Sequence, residues 1–344
     1  MTVEVAVLSV DLARTWYDKD ISLNPIKNET VAVIGYGIQG AAQACNMKDS
    51  GLKVIVGARK GGKSWEQATK DGHRVMEVAD ATQKADIIHI LIPDMEQGAT
   101  YKKEIEPFIK KGNALSFSHG AAIHWKWIQA PKSLDVIMLA PKAPGKRVRE
   151  LYLEGFGTPG LVAVQQNFTK KAWDRVLGIA KGTGCSRAGI LETTFKEEVE
   201  TDWFGEQVDL CGGADRLIRT AFETLVEAGY QPEIAYFECL HELKLIVDLI
   251  QRYGIAGMYR RVSETARFGG LTRGQRVVGE ASRNAMRKAL KDIQSGKFER
   301  EWVETYKREG KKSFDKYLEE IEDHPIEHVG KKLRKMMWPN EQIE

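Results

Sequence analysis

Long apolar runs are missing from this chain: no uninterrupted stretch among its 344 residues approaches the ~18 that a membrane-spanning helix needs. A protein that sits in a membrane is therefore not expected. Cysteine is scarce and scattered. Cys45, Cys185, Cys211 and Cys239 show no C-x-x-C spacing, which argues against a disulfide framework or a zinc ribbon and favours a reducing cytosol. Charge of one sign is also in short supply, because 51 Lys and Arg stand against 48 Asp and Glu and leave a net charge of +3. That balance is too small for nucleic-acid binding without a concentrated patch. The one short basic run, Lys331, Lys332, Arg334 and Lys335, reads as the solvated face of a fraying surface helix. The opening MTVEVAVLSVDLART carries Glu4 and Asp11 and has no basic region followed by an apolar core. A secretory signal is not expected, and a cytoplasmic location is. No internal repeat or low-complexity segment stands out.

What is present describes an ordinary globular chain, with 42% hydrophobic and 29% charged residues and a mean hydropathy of −0.37. The length suits about two domains, each able to bury its own core. From Thr30 to about Pro141 short β-branched runs alternate with longer amphipathic ones, the pattern of βαβ units in a parallel sheet. TVAVI (30–34), KVIVG (53–57), DIIHILIP (86–93), NALSFS (113–118) and DVIMLAP (135–141) are the candidate strands, and GLVAVQQ (160–166) precedes a helix running to about Lys181. Beyond Gly182, Thr183 and Gly184 nearly everything reads as helix, with candidates at 192–211, 214–229, 233–253, 255–267, 275–295, 298–307 and 311–322. The expected class is α/β: a Rossmann-type, doubly wound N-terminal domain (1–182), an all-α domain (183–328) and a C-terminal tail (329–344).

Two constellations carry chemistry. Gly35, Gly37 and Gly40 form G-x-G-x-x-G directly after TVAVI and directly before AAQACNM. The first glycine permits the tight turn, the second lets backbone approach a pyrophosphate, and the third lets helix pack on strand. The loop after the second strand, VGARKGGKSW, holds Arg59, Lys60, Lys63 and Ser64 where an NAD-selective site usually has an acid. Guanidinium, ammonium and hydroxyl all donate to a 2′-phosphate, so NADP is expected over NAD. The second constellation is acidic. Asp202 with Glu206, and Glu238 with Glu242, each have the i, i+4 spacing that puts two carboxylates on one helix face. Such pairs in apolar segments suit a hard divalent cation, or else face solvent on amphipathic helices.

With GYGIQG (35–40), VGARKGGKSW (56–65), LIPD (91–94), SHG (118–120), APKAPG (140–145), EEVETDWFGEQ (197–207), ECLHELKLIVDL (238–249) and VSETARFG (262–269) in this order, the chain resembles ketol-acid reductoisomerase in its short form. The resemblance runs from about Trp16 to about His328 and leaves the tail after Val329 outside it. It implies a Rossmann domain followed by a knotted helical domain that dimerises to complete the active site, sometimes assembling further into dodecamers. It implies NADP(H), two Mg2+ ions and conversion of 2-acetolactate or 2-aceto-2-hydroxybutyrate into the 2,3-dihydroxy acid precursors of valine and isoleucine. Nucleic acid and membrane are not among the implied partners. By matching motif, Tyr36, Ile38 and Gln39 join the three glycines at the cofactor, with Arg59, Lys60, Ser64, Pro93, Asp94 and Gly145. Asp202 and Glu206 are implied metal ligands, and Glu238 and Glu242 come from the neighbouring subunit. Glu198, Lys142 and His119 match further polar positions of the site, and Ser263 matches its substrate-carboxylate contact.

The chemistry agrees with those roles. Moving an alkyl group between adjacent carbons requires a deprotonated tertiary hydroxyl and a polarised ketone together, which two cations supply. Glu238 is the candidate for a proton-handling ligand, and Lys142 is placed to orient a water or relay a proton. His119 is expected to position cofactor or solvent, or else to be a loop histidine bonded to backbone. His124 and His241 read as structural; on a helix His241 points about 100° away from Glu242. A metal-independent dehydrogenase of the β-hydroxyacid type also pairs these two domain classes, but it leaves the four acids unexplained.

Overall fold

The computed structural model describes residues 13–340. It divides into two compact units, with the break between Val199 and Glu200. The first is built on one nine-stranded sheet: β1 (Thr15–Trp16), β2 (Thr30–Ile34), β3 (Lys53–Gly57), β4 (Arg74–Met76), β5 (Ile87–Ile90), β6 (Ala114–Phe117), β7 (Asp135–Pro141), β8 (Gly160–Gln166) and β9 (Ile190–Glu192). Its order is β1-β9-β8-β7-β6-β5-β2-β3-β4. From β4 through β7 every neighbouring pair is parallel, whereas β7 meets β8 and β1 meets β9 antiparallel. All six expected strands are present. Three more, β1, β4 and β9, are only two or three residues long. Beyond the glycine-rich stretch at Gly182–Gly184 the chain adds β9 to the sheet before the second unit begins.

The helices of this unit are α1 (Ile38–Asp49), α2 (Lys63–Lys70), α3 (Val78–Lys84), α4 (Asp94–Thr100), α5 (Ala121–His124), α6 (Gly145–Leu153) and α7 (Ala172–Gly182). They cover both faces of the sheet, and the strand period of two sorts the side chains between them. Val31, Val33, Ile87 and Ala114 pack toward Ala44 and Met47 of α1 and Val176 and Ile179 of α7. The alternate residues, Ala32, Ile34, Ile88, Ile90, Leu115 and Phe117, pack on the opposite side with Val78, Ala81, Tyr101 and Ile105. Each buried Ile, Val or Phe contributes about 1.5–3 kcal/mol, so this two-sided core fixes the strand register firmly. Strand β2 lies between β5 and β3, so the winding direction reverses there. The crevice of a doubly wound sheet opens at that reversal, outside the carboxyl ends of the strands.

The second unit is helical. α8 (Phe195–Gly205) enters it, followed by α9 (Gly212–Glu227), α10 (Pro232–Tyr236), α11 (Glu242–Tyr259), α12 (Glu264–Val277), α13 (Glu280–Gln294), α14 (Lys297–Glu309), α15 (Asp315–Glu322) and α16 (Pro325–Met337). Two π-helical turns interrupt it, Glu206–Leu210 and Phe237–His241. Gly254 leaves helical geometry at φ 73° and breaks α11 where two separate helices were expected. Phe222, Ala235, Tyr236, Ile326 and Leu333 form a small core. α16 does not fray: Leu333 is buried, and a side chain at Gly330 would come within 2.7 Å of the Tyr236 ring. Its Lys331, Lys332 and Lys335 remain on the outside, as a solvated face requires. Many large apolar side chains of this unit are exposed, among them Leu210, Leu245, Ile255, Phe268, Leu271 and Val277. No helix among the described residues is long and apolar enough to cross a membrane.

Candidate active site

Four loops leave the carboxyl ends of adjacent strands: GYGIQG after β2, LIPD after β5, SHG after β6 and the end of APKAPG after β7. The first is shaped by its glycines in three different ways. Gly35 has φ +97°, and a Cβ there would lie 2.9 Å from the Leu91 carbonyl and 2.7 Å from Ile92 Cγ2. At Gly40 a Cβ would overlap the Gly35 carbonyl oxygen. At Gly37 it would meet nothing within 4 Å. Only this middle glycine therefore faces open space. Gly37 is also the N-cap of α1 and has no side-chain cap bond, which leaves the first N–H groups of the helix to an anion. The residues fit a dinucleotide pyrophosphate.

The other residues expected at the cofactor are placed as follows. The Tyr36 ring is buried and its hydroxyl donates to Asp71 Oδ2 at 2.7 Å, with Cys45 Sγ at 3.2 Å, so its backbone is what remains for a ligand. Burial, Cys45 and Asp71 push the Tyr36 phenol well above its ordinary pKa. Ile38 is 75% exposed at the lip of the turn. Gln39 donates to the Ala143 carbonyl at 2.9 Å. Arg59 and Lys60 are exposed beyond β3, and Ser64 lies in the first turn of α2. Pro93 caps α4, where Asp94 accepts from Gln97 Nε2 at 2.9 Å. Gly145 opens α6, and a Cβ there would overlap the Ile38 carbonyl oxygen. The APKAPG loop is thereby seated directly on the glycine turn.

The chemically dense point is Glu198, on α8. Its carboxylate is 1% exposed, and its partners include His119 Nδ1 at 3.1 Å from Oε2, Lys142 Nζ at 3.2 Å from Oε1, and the Gly120 N–H, which donates to Oε2 at 3.0 Å. Burial pushes this carboxyl up. The hydrogen bond and charge of His119, the charge of Lys142 and the Gly120 N–H outweigh it and hold the group below the usual glutamate value. A buried, ionised carboxylate thus joins the SHG and APKAPG loops. His119 is bonded to a carboxylate and so serves in more than the backbone contact weighed for it.

Asp202 follows Glu198 one turn later on the same unbroken helix, so the two share a face. Asp202 is partly buried, and Glu206 is exposed where the helix passes into its first π turn. Glu238 is exposed inside the second π turn, and Glu242 is exposed at the start of α11. Ser263 is exposed and caps α12, its Oγ accepting from the Ala266 N–H at 3.1 Å. His124 and His241 stack edge-on against Trp125 and Phe237. An oxygen-rich set that already holds an ionised buried acid fits a hard divalent cation. Gln43, His89, Ser116 and Ser118 also stand behind this site, and sequence reading passed over them. The available signal was a histidine in the middle of the apolar strand DIIHILIP.

The sequence matches "Acetohydroxy acid isomeroreductase, NADPH-binding domain" over residues 25–189 and "Ketol-acid reductoisomerase, C-terminal domain" over residues 195–338. The second match reaches past Val329 and takes in most of the tail that the sequence resemblance left out. Among curated relatives, the ketol-acid reductoisomerase (NADP(+)) of Nitrosopumilus maritimus (strain SCM1) is 67% identical over 96% of this chain and 99% of its own length. That of Methanocaldococcus jannaschii is 56% identical over 94% and 98%. Among solved structures, an NADH-preferring ketol-acid reductoisomerase from an uncultured archean matches with a TM-score of 0.90 and 46% identity, covering 94% of this chain and 98% of that one.

Proposed function

The chain belongs to the ketol-acid reductoisomerase family and is an NADP-dependent oxidoreductase with isomerase activity, and from that premise we propose how its residues divide the work. The reaction moves an alkyl group within 2-acetolactate or 2-aceto-2-hydroxybutyrate and then reduces the product to the 2,3-dihydroxy acid, in valine and isoleucine biosynthesis. Asp202 and Glu206 of one protomer, with Glu238 and Glu242 of a second copy, would hold two magnesium ions. When bound, these ions supply the Lewis acidity that favours the substrate alkoxide and polarises its ketone, and NADPH supplies the hydride. One observation favours a shared site: the helical unit leaves large apolar side chains uncovered, as a surface that meets a second copy would. A homodimer is the smallest assembly that covers them.

The buried Glu198 carries the reading. Its ionised carboxylate holds the Lys142 ammonium and the His119 ring against the carboxyl edge of the sheet, where nicotinamide would lie. Lys142 orients a water or relays a proton at the substrate oxygens, and His119 positions cofactor or solvent. Glu238 handles a proton at its ligand position. Ser263 accepts from Ala266 N–H, so its hydroxyl proton is directed outward to a substrate carboxylate. Arg59, Lys60 and Ser64 receive the 2′-phosphate, and Pro93, Asp94 and Gly145 wall the nicotinamide side. The four cysteines are all free thiols, as a reducing cytoplasm would keep them.

The test pairs magnesium with Asp202. Chelation should stop NADPH oxidation with 2-acetolactate, and Asp202→Asn should lower kcat by about a thousandfold or more while NADPH still binds. Turnover that survives chelation would defeat the two-metal reading in favour of a metal-independent dehydrogenase.

A further inference from the structure

Behind the loops that carry His119 and Lys142 runs a chain of buried and half-buried polar side chains that, Gln39 apart, has no part in the chemistry described so far. His89 on β5 and Ser116 on β6 are register partners, both fully buried, with Ser116 Oγ 2.8 Å from His89 Nδ1. His89 Nε2 is 2.9 Å from Gln43 Oε1, and Gln43, on α1, is itself fully buried. The Gln43 amide nitrogen donates two ways, to Ser118 Oγ at 2.9 Å and to Gln39 Oε1 at 3.1 Å. Gln39 Nε2 in turn donates to the Ala143 carbonyl at 2.9 Å. One end of the chain is therefore the residue before His119, and the other is the residue after Lys142.

The direction of every bond follows from its far end. The Ala143 carbonyl only accepts, so Gln39 presents its NH2 group there and its oxygen to Gln43. Gln43 must then present NH2 to Gln39 and oxygen to His89. The His89 proton is consequently on Nε2, and Ser116 donates to Nδ1. With His89 kept neutral by burial, which lowers its pKa to about 4, this arrangement satisfies the Gln39, Gln43 and His89 groups, Ser118 Oγ also lying 3.4 Å from Gln43 Oε1, and Gln43 is the branch point. Nothing cushions the APKAPG end, because Gly145 closes on the Ile38 carbonyl with no room for a side chain between them.

We infer that Gln43 is the positioning residue of this active site: its carboxamide sets the SHG loop through Ser118 and the APKAPG loop through Gln39, so that His119 and Lys142 meet Glu198 in register with the GYGIQG turn. The inference rests on the roles given to His119 and Lys142 above. Gln43 is sealed from solvent and from ligands and acts only through those two loops. It also makes α1 a common base for the cofactor turn and the proton-handling groups.

The experiment compares Gln43→Leu with two milder variants that each cut one branch, Ser118→Ala and Gln39→Leu. Gln43→Leu should lower kcat with 2-acetolactate about tenfold or more while the Kd for NADPH, read by fluorescence titration, moves less than about threefold. The Ser118→Ala/Gln39→Leu double variant should reproduce that loss. Amide hydrogen exchange supplies a readout independent of turnover: it should quicken at 117–121 in Ser118→Ala, at Lys142, Ala143, Gly145 and Lys146 in Gln39→Leu and at both in Gln43→Leu. Unchanged exchange in both loops, or acceleration spread evenly over α1, β5 and β6, would overturn the positioning role. So would a loss confined to NADPH affinity. If the parent chain itself leaves 2-acetolactate untouched, the functional reading fails, and the exchange pattern still decides the relay.

Discussion

Individual side chains divide here into those that hold and those that are held. Glu198 is ionised at the cost of its own burial because three donors converge on it, and that convergence ties together two loops from different strands. Arg59 and Lys60 are the opposite case, exposed cations available to a ligand. Arg59→Ala should weaken NADPH about tenfold and leave NADH within about twofold, since only the 2′-phosphate distinguishes the two. Fluorescence titration with both cofactors checks it, and an equal loss for both would remove Arg59 from the phosphate site. The comparison is pointed because a structural relative with 46% identity is NADH-preferring. His119 and Lys142, in loop motifs, and Glu198, in a helical one, were legible in sequence because the order of those motifs is specific. Gln43 was not, since a glutamine amid small residues on a helix carries no mark of facing inward until strand β5 is known to present His89 to it.

Among the elements, the long and periodic ones were readable and the short ones were not. TVAVI, KVIVG, DVIMLAP and GLVAVQQ became strands with the expected bounds, because β-branched runs buried on both faces have few alternatives. β1, β4 and β9 are too brief to show a period and owe their form to pairing alone. The π turns of the helical unit were equally invisible, for an i+5 bond such as Cys211 N–H to the Glu206 carbonyl has no residue signature. The glycine turn offers a clean dissection of an element. Gly37→Ala should leave the melting temperature of the cofactor-free protein unchanged yet weaken NADPH at least about tenfold, because the added methyl enters only the open side. Gly40→Ala should destabilise the free protein by about 1–3 kcal/mol, because its methyl meets the Gly35 carbonyl. Thermal melts without cofactor, set beside NADPH titrations, separate the two. A stability loss at Gly37 matching that at Gly40 would mean the middle glycine serves packing.

For the molecule as a whole, the proposed completion of the site by a second copy makes a quantitative demand. Asp202→Asn and Glu238→Gln chains should each be inactive alone. Unfolded together and reassembled in equal amounts, they should regain about a quarter of parental activity: half the dimers are mixed, and one of the two sites in each is intact. No recovery in a mixture shown to contain mixed dimers would place all four acids in one chain. The exposed apolar side chains of the helical unit have a further consequence. Its buried core is a handful of residues around Tyr236 and Phe222, while Leu245, Ile255, Phe268 and Leu271 face outward. In the proposed dimer such a unit would gain much of its folding free energy from association, and its stability would be a function of protein concentration, whereas the sheet-bearing unit carries its own core. Dilution would therefore melt one half of the chain before the other, and inactivation at low concentration would leave the nucleotide fold standing.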